Sequence, residues 1–281
     1  MTKLDRLGWA DGIAFTAHGV RLGVRVSRAE ALDQVRAALP PGSRPLASPM
    51  VDRLYSLFVG GSGPRPGIRR YHLLYGDAVL LARTLELAPA LEALESDLHR
   101  AVAERSRRRL FVHAGVVAWR GRAIVMPGRS FSGKTTLVAE WVQAGASYYS
   151  DEYAVFDAQG RVHPYTKPLS LRQSGGITTK CTVEALRGRA GARPLPVGLV
   201  IVSTYKPGAR WRPRRLSPGQ GGLALLSHAV SARQQPEAAL TVLRHVVSAV
   251  PVLKGVRGEA REAVRSVIDQ IEASKGFRWV G

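Results

Sequence analysis

The chain has 281 residues, of which 45% are hydrophobic and 22% charged, the balance of one large or two ordinary packed domains. Lys and Arg total 41 against 21 Asp and Glu, and the resulting charge of +20 favours anionic partners such as nucleotides, nucleic acid, acidic peptides or a membrane surface. No apolar run reaches the roughly 18 residues needed to cross a bilayer, and no apolar signal core follows the N-terminus. We therefore expect a cytoplasmic protein without a membrane span. The single cysteine, Cys181, excludes an intramolecular disulfide and a cysteine zinc cluster.

The first hundred residues predict a small α+β domain. In chain order the pattern indicates two strands between Ile13 and Val26, a helix opened by the capping-box pattern Ser27-Arg-Ala-Glu30, strands over 54–59 and 71–75, and a helix from Leu87 to about Arg107. The pattern changes after this helix, so the domain boundary is predicted near residue 108. This division gives an N-terminal domain, residues 1–108, for substrate recognition or assembly, and a second domain, residues 109–281.

The second domain mixes strands with helices, which is typical of an α/β nucleotide-binding domain. The predicted strands are Leu110–Trp119, Ala123–Met126, 147–156, 199–205 and 250–253. The predicted helices are Thr135–Gln143, 223–230, 236–248 and 259–274. The most informative segment is the loop between Met126 and the first of these helices.

This loop reads Gly128-Arg129-Ser130-Phe131-Ser132-Gly133-Lys134-Thr135, with Thr136 following, and it matches G-x-x-x-x-G-K-[ST] in full. Glycines allow the backbone N–H groups to surround a phosphate as an anion nest. Lys134 adds a compact positive charge for the β- and γ-phosphates, and the Thr135 hydroxyl can bind Mg²⁺. The preceding strand and the following helix agree with this interpretation. The motif predicts a nucleotide with Mg²⁺ but does not name a reaction.

Two neighbouring features narrow the chemistry. Asp151-Glu152 follows the strand-like stretch 146–150, and acids at such a strand end can bind Mg²⁺ or accept a proton from an attacking hydroxyl. The alternative is a turn with ordinary surface acids. His113 lies on the strand before the loop, where an isolated histidine is more often a packed or surface residue.

Three segments in register resemble the catalytic domain of HPr kinase/phosphorylase, and they are more similar to the shorter HPr-kinase-related proteins. The segments are Val112-His-Ala-Gly115, the glycine-rich loop and Ser150-Asp-Glu152. In that family a histidine precedes the loop lysine by 21 positions, and an acidic pair follows it at 17 and 18. His113, Asp151 and Glu152 stand at 21 before and 17 and 18 after Lys134. The resemblance extends over residues 110–172.

The resemblance implies a P-loop nucleotide-binding domain with a mixed sheet and assigns a role to each matching residue. Lys134 would bind phosphate, Thr135 would replace the Mg²⁺-binding serine of the family, and His113 would lie near the phosphates and tune the acid. The acidic pair would supply the base and a metal ligand. Asp151 is favoured as the base, and Glu152, which replaces the second aspartate of the family, competes with it. Arg172 would contact phosphate or an acidic substrate, or else form a structural salt bridge.

The long family signature after the acidic pair is missing, so neither phosphorylase activity nor HPr as substrate is expected. The resemblance then implies an ATP- and Mg²⁺-dependent kinase for a hydroxyl group, first of all a serine in a peptide or small protein. A kinase for a small-molecule alcohol is one alternative. A nucleotide-dependent ATPase acting on nucleic acid is another, although no helix-turn-helix or RNP-type sequence supports nucleic acid as a partner. The oligomeric state, including a homo-oligomer, stays open.

Overall fold

The computed structural model of the chain divides into two compact units, residues 1–107 and 108–281, next to the boundary predicted above. The structure describes residues 3–62, 69–129, 132–172 and 178–273. Both units combine helices with β-sheet, and the fold is α/β with mixed sheets. Within the described ranges, no helix combines the length and apolar character needed to span a membrane.

The strands of the first unit are β1 (Asp11–Ala17), β2 (Val20–Val26), β3 (Arg44–Pro45), β4 (Arg53–Phe58), β5 (Gly61–Ser62), β6 (Arg69–Arg70), β7 (His72–Gly76) and β8 (Val79–Thr84). Six of them form one sheet with the order β3-β1-β2-β4-β7-β8, and β5 pairs with β6 separately. The helices of this unit are α1 (Leu32–Ala37) and α2 (Leu87–Arg105), with 3-10 turns at Lys3–Arg6 and Ala29–Ala31. Leu94, Leu98 and Val102 of α2 are fully buried, as their helical spacing predicts.

The capping box predicted at Ser27 is wrong. The Ser27 hydroxyl accepts a hydrogen bond from the backbone N–H of Val59 at 2.8 Å, so it is not available to a helix. A 3-10 turn at Ala29–Ala31 comes first, and α1 follows without a side-chain cap. A backbone donor beyond the end of β4 therefore outcompetes the local capping interaction.

A buried ionic network joins β4 to α2 in this unit. The Tyr55 hydroxyl donates to Asp97 at 2.8 Å, and Arg53 forms an ion pair with the same carboxylate at 2.9 Å. Arg100, one turn further along α2, also contacts Asp97. Burial and the neighbouring carboxylate raise the pKa of Tyr55 far above its usual value, so the phenol remains a donor.

The second unit contains an eight-stranded mixed sheet and a separate hairpin of β14 and β15. Its strands are β9 (Leu110–Trp119), β10 (Arg122–Pro127), β11 (Ser147–Ser150), β12 (Tyr153–Phe156), β13 (Arg161–His163), β14 (Leu169–Arg172), β15 (Thr178–Cys181), β16 (Leu195–Tyr205), β17 (Arg214–Arg215) and β18 (Val252–Arg257). Its helices are α3 (Lys134–Gln143), α4 (Pro218–Leu226), α5 (Pro236–Ala249) and α6 (Ala260–Ala273), with a 3-10 turn at Glu184–Leu186.

Strands β10, β16 and β18 run parallel, so their carboxyl ends lie along the same edge of the sheet. Strand β9 is antiparallel to β10 and pairs on its other side with β11 and β12. Apolar residues of α3 and α6 form a buried cluster with one face of the sheet, while α4 and α5 contribute to a second cluster. The loop after β10 therefore opens at the edge where β16 and β18 also end.

Candidate functional site

The glycine-rich loop joins β10 to α3, and its first residue is fastened to the neighbouring strand. The backbone N–H of Gly128 donates to the carbonyl of His113 at 3.1 Å. Gly133 is the N-cap of α3 with φ +81°, a left-handed conformation that favours glycine, and it offers no side-chain acceptor. The first backbone N–H groups of a helix have no intrahelical partner. The start of α3 thus concentrates donors and positive helix dipole at the loop.

A second glycine sets the distance between α3 and the sheet. A Cβ atom added at Gly115 on β9 would lie 2.6 Å from a methyl group of Val138 on α3. Only glycine allows the helix to pack this closely without a shift. Gly115 is the last residue of the segment Val112-His-Ala-Gly115. The close approach of α3 requires a glycine at this position for packing and not for chemistry.

Lys134 begins α3, and among the described residues its ammonium group donates to neutral acceptors of the loop. Its Nζ donates to the carbonyl of Gly128 at 2.9 Å and to that of Arg129 at 2.6 Å. Burial lowers the pKa of Lys134, while the charges of Asp151 and Glu152 act in the opposite direction. The lysine is therefore a partly desolvated cation without a direct ion pair among the described residues, which is an environment suited to an anion.

The strand predicted over residues 147–156 is interrupted at the two acids. The Ser150 hydroxyl accepts hydrogen bonds from the backbone N–H groups of Glu152 at 3.1 Å and Tyr153 at 2.9 Å. This turn ends β11 and starts β12, so Asp151 and Glu152 leave the ladder of strand hydrogen bonds. The break places both acids at the end of β11, beside the start of α3.

Asp151 is buried and engaged through both carboxylate oxygens. Oδ2 accepts from the Thr135 hydroxyl at 3.1 Å, and Oδ1 accepts from the Tyr148 hydroxyl at 3.0 Å. The carbonyl of Lys167 lies 2.9 Å from the same Tyr148 oxygen and competes for its proton. Burial, followed by the charge of Asp151, raises the pKa of Tyr148 far above its usual value. Asp151 is thereby held in one position next to Thr135.

Glu152 has a different environment. Its Oε2 forms an ion pair with the Lys167 ammonium at 2.7 Å, and 29% of its side chain is exposed. Its backbone carbonyl accepts from the N–H of Ala114, which fixes the main chain against β9. The carboxylate of Glu152 is accessible, whereas that of Asp151 is buried.

Two histidines flank the loop. His113 packs against Tyr153, with ring centroids 4.8 Å apart, and its backbone N–H donates to the carbonyl of His228 at 2.8 Å. Burial is the main cause that lowers the pKa of His113; Lys134 lowers it further, and Glu152 raises it. Burial also lowers the pKa of His228, together with Lys134, His113 and Arg129. Both imidazoles are therefore neutral near pH 7 and can each donate and accept one hydrogen bond.

His228 reaches this place because α4 is shorter than predicted. The helix expected over 223–230 ends at Leu226, and Val230 donates its backbone N–H to the carbonyl of Phe111 at 2.9 Å. Val112 and Ala229 form an antiparallel bridge. Residues 228–230 thus pair with β9 beyond the last residue of β10. The glycine-rich loop leaves the sheet between the end of β10 and these residues.

Arg257, the last residue of β18, contributes a further cation. Its guanidinium donates to the carbonyl of Gly133 at 3.2 Å and to that of Gly258 at 3.0 Å, and only 4% of the residue is exposed. The ring of Tyr205 lies 5.4 Å from the guanidinium carbon. Burial lowers the pKa of Arg257, against the influence of Tyr205 and Glu259. Within the described ranges Arg257 has no ion pair, so a second desolvated cation stands at the start of α3.

The structure brings most of the predicted residues together. His113, Gly128, Ser132, Gly133, Lys134, Thr135, Asp151 and Glu152 surround the start of α3, with Arg129 and Thr136 exposed beside them. Ser130 and Phe131 lie outside the described residues, as does the side chain of Arg172, whose backbone ends β14. Sequence reasoning missed Lys167, His228 and Arg257 as site residues, since none has a motif spacing to Lys134.

The resulting arrangement is a cationic loop with two acids of unlike exposure. The hydroxyl of Thr135 and the carboxylate of Asp151 are oxygen donors of the kind that Mg²⁺ prefers. In the part of the chain that is described, no group of three or more His, Cys, Asp and Glu side chains is placed to hold a metal ion. One or two protein oxygens are, however, sufficient where phosphate oxygens complete the coordination of Mg²⁺.

No protein-family model matches the chain, and no curated protein shows significant similarity to it.

Proposed function

We propose that the protein is an ATP- and Mg²⁺-dependent kinase that transfers a phosphoryl group to a serine hydroxyl of a peptide or small protein. The observation that carries the proposal is the hydrogen bond from Thr135 to Asp151 beside Lys134. It joins the hydroxyl after the loop lysine to a buried acid from a neighbouring strand. In phosphoryl transfer by P-loop proteins a hydroxyl and an acid in these roles hold the metal, while the lysine binds the phosphates.

The residues fit a magnesium ion bound together with a nucleotide. Thr135 and Asp151 would hold the ion, and when bound it would neutralise charge on the phosphate oxygens. The loop N–H groups, the start of α3 and Lys134 would bind the phosphates, because backbone donors, the helix dipole and the ammonium group present positive charge at the same place. The resemblance to HPr-kinase-related proteins also supports this proposed assignment.

The geometry changes the preference between the two acids. The sequence favours Asp151 as the base, but both of its carboxylate oxygens accept hydrogen bonds and the group is buried. Glu152 is partly exposed, so an acceptor hydroxyl can reach its carboxylate, which the Lys167 ammonium holds in place at 2.7 Å. We therefore assign Glu152 as the base for the acceptor hydroxyl and Asp151 as the metal-side acid.

The remaining residues have supporting roles in this proposal. His113 would lie near the phosphates as a neutral hydrogen-bonding group. It would also influence the carboxylate of Glu152, since the charge of Glu152 acts on the pKa of His113. Arg172 is retained as a candidate contact to phosphate or to an acidic substrate. The first unit would recognise substrate or mediate assembly.

The experiment is phosphoryl transfer from Mg·ATP labelled at the γ-phosphate to a library of serine-, threonine- and tyrosine-containing peptides. Labelled products are identified by mass spectrometry, and Lys134→Ala is compared with wild type and with the exposed control Lys254→Ala. We expect labelled serine peptides with wild type and the control, and none with Lys134→Ala, because the loop then lacks its phosphate-facing cation. Equal transfer by Lys134→Ala would remove this mechanism, and transfer only to free small alcohols would replace the substrate class.

A further inference from the structure

A cleft in the second unit has no role in the site described above. It has a volume of about 450 Å³ and its walls include Arg210, Trp211, Arg212, Gly258, Glu259 and Glu262. The arginines and the two glutamates are exposed, while Trp211 is buried and lies against Gly255 of β18. The cleft thus combines two cations, two acids and an aromatic side chain, and its size lies within the range of small-molecule sites.

The topology places this cleft where parallel sheets bind their ligands. Residues 209–212 follow the carboxyl end of β16, and Gly258 and Glu259 follow that of β18. Both strands run parallel to β10, whose carboxyl end leads into the glycine-rich loop. In open α/β sheets, ligands occupy the crevice outside the carboxyl ends of the strands.

A single side chain connects the cleft with the loop. Arg257 donates from one terminal nitrogen to the carbonyl of Gly133, the N-cap of α3, and from the other to the carbonyl of Gly258 in the wall of the cleft. The distances are 3.2 and 3.0 Å, so the width of one guanidinium separates the two carbonyls. A ligand with phosphates in the loop would therefore have its remaining part within reach of the cleft.

We propose that this cleft binds the nucleoside of the nucleotide whose phosphates the loop holds. The inference rests on the proposed function and adds the position of base and ribose. The guanidinium planes of Arg210 and Arg212 suit the face of a purine, since arginine stacks on aromatic rings. Carboxylates accept hydrogen bonds only, which suits ribose hydroxyls or an exocyclic amine. Glu259 already accepts one from the Tyr205 hydroxyl at 3.0 Å, so Glu262 is the acceptor assigned to the nucleoside.

An acidic acceptor peptide is the other ligand class that arginines attract. The two glutamates argue against it, because they would face the carboxylates of such a peptide and repel them. A nucleoside carries no charge of its own and uses donors that the glutamates can accept. The mixture of charges in the cleft consequently favours the nucleoside.

The experiment compares two ligands by calorimetry: Mg·ATP, and Mg·tripolyphosphate, which lacks the nucleoside. The variants are Arg210→Ala and Glu262→Gln, and the matched controls are Arg233→Ala and Glu237→Gln, which change exposed residues at or near the start of α5. We expect each cleft variant to weaken Mg·ATP by about tenfold or more, because Arg210→Ala removes a stacking guanidinium and Glu262→Gln removes a charged hydrogen-bond acceptor. Binding of tripolyphosphate should stay unchanged, and the controls should bind both ligands like wild type.

The outcomes separate this inference from the proposed function. If wild type binds Mg·ATP and the cleft variants bind it equally well, the nucleoside lies elsewhere and only the inference fails. An equal loss for both ligands would reduce the cleft to a source of general positive charge. A raised KM for an acceptor peptide with unchanged ATP affinity would make the cleft an acceptor site. If wild type binds neither ligand, the proposed function itself fails.

Discussion

The hydroxyl of Thr135 lies 3.1 Å from a carboxylate oxygen of Asp151, although the two residues are 16 positions apart in the chain. Thr135 is in the first turn of α3, and Asp151 stands where β11 ends. The Tyr148 hydroxyl contacts the other oxygen of the same carboxylate. The contact between loop and acid therefore depends on a buried phenol that orients the carboxylate.

This arrangement predicts separate roles for the two acids. Glu152→Gln keeps the shape of the side chain but cannot accept a proton, so turnover should fall by about 10²- to 10⁴-fold while Mg·ATP affinity changes little. Asp151→Asn removes the negative charge of the carboxylate that would hold Mg²⁺. It should therefore weaken the binding of Mg·ATP itself, which is measured without turnover. Steady-state kinetics and calorimetry on both variants check this division. If Asp151→Asn lowers only turnover and Glu152→Gln has no effect, the roles are reversed.

The histidines predict how stability depends on pH. Burial and nearby cations lower the pKa values of His113 and His228, so the unfolded chain binds more protons than the folded chain below about pH 6.5. Their stabilising contribution is complete above that pH and decreases as the pH falls. Urea unfolding between pH 7.5 and 5 should show a smaller loss of stability for His113→Gln combined with His228→Gln than for wild type. Identical slopes would contradict these pKa directions.

The environment of Arg257 predicts that replacing this residue keeps or improves stability but weakens the binding of Mg·ATP. The guanidinium is buried without an ion pair within the described ranges, so an apolar side chain of similar length removes the desolvation cost of an unpaired buried charge. Arg257→Met should therefore keep or raise the melting temperature, while Mg·ATP affinity falls about tenfold or more. Arg244→Met, an exposed change on α5, is the control. A clear loss of stability with unchanged affinity would give Arg257 a purely structural role.

The first unit offers an independent test of its buried network. Asp97→Ala would leave Arg53, a largely buried charge, without its 2.9 Å partner, and Tyr55 with the backbone carbonyl of residue 97 as acceptor in place of the carboxylate, at a cost of about 3–5 kcal/mol in unfolding free energy. Asp33→Ala removes an exposed ion pair with Arg36 and should change stability by about 0.5 kcal/mol or less. Chemical unfolding of both variants measures the difference. Equal effects would mean that water replaces the lost carboxylate in the network.

Local sequence patterns predicted the main helices and strands, whereas residues placed by long-range hydrogen bonds were missed. The helix α2 follows from apolar periodicity and the strand β10 from a short apolar run, and both signals depend only on neighbours in sequence. His228 could not be identified in this way, because its position depends on a hydrogen bond to a strand far earlier in the chain. Ser27 matched a capping pattern, but the backbone N–H of Val59 uses its hydroxyl.

Arg257 and Lys167 show the same limit for the candidate site. Each is placed by its strand or loop next to a group that is distant in sequence: Arg257 beside Gly133 and Lys167 beside Glu152. No spacing to Lys134 marks either residue. The loop residues could be found from a contiguous motif, and His113 and the acidic pair from a family resemblance in register with Lys134, whereas the residues that neutralise or adjust their charges carry no such spacing.

The closure of β9 by residues 228–230 has a consequence for synthesis of the protein. The edge of β9 near Phe111 and His113 receives these partners only after the ribosome has made the chain through α4. Until then a buried, apolar strand presents unpaired backbone groups, which is a template for pairing with another chain. A nascent or truncated chain that stops before Val230 should therefore aggregate, and the short segment after α4 covers this strand edge as well as completing the site.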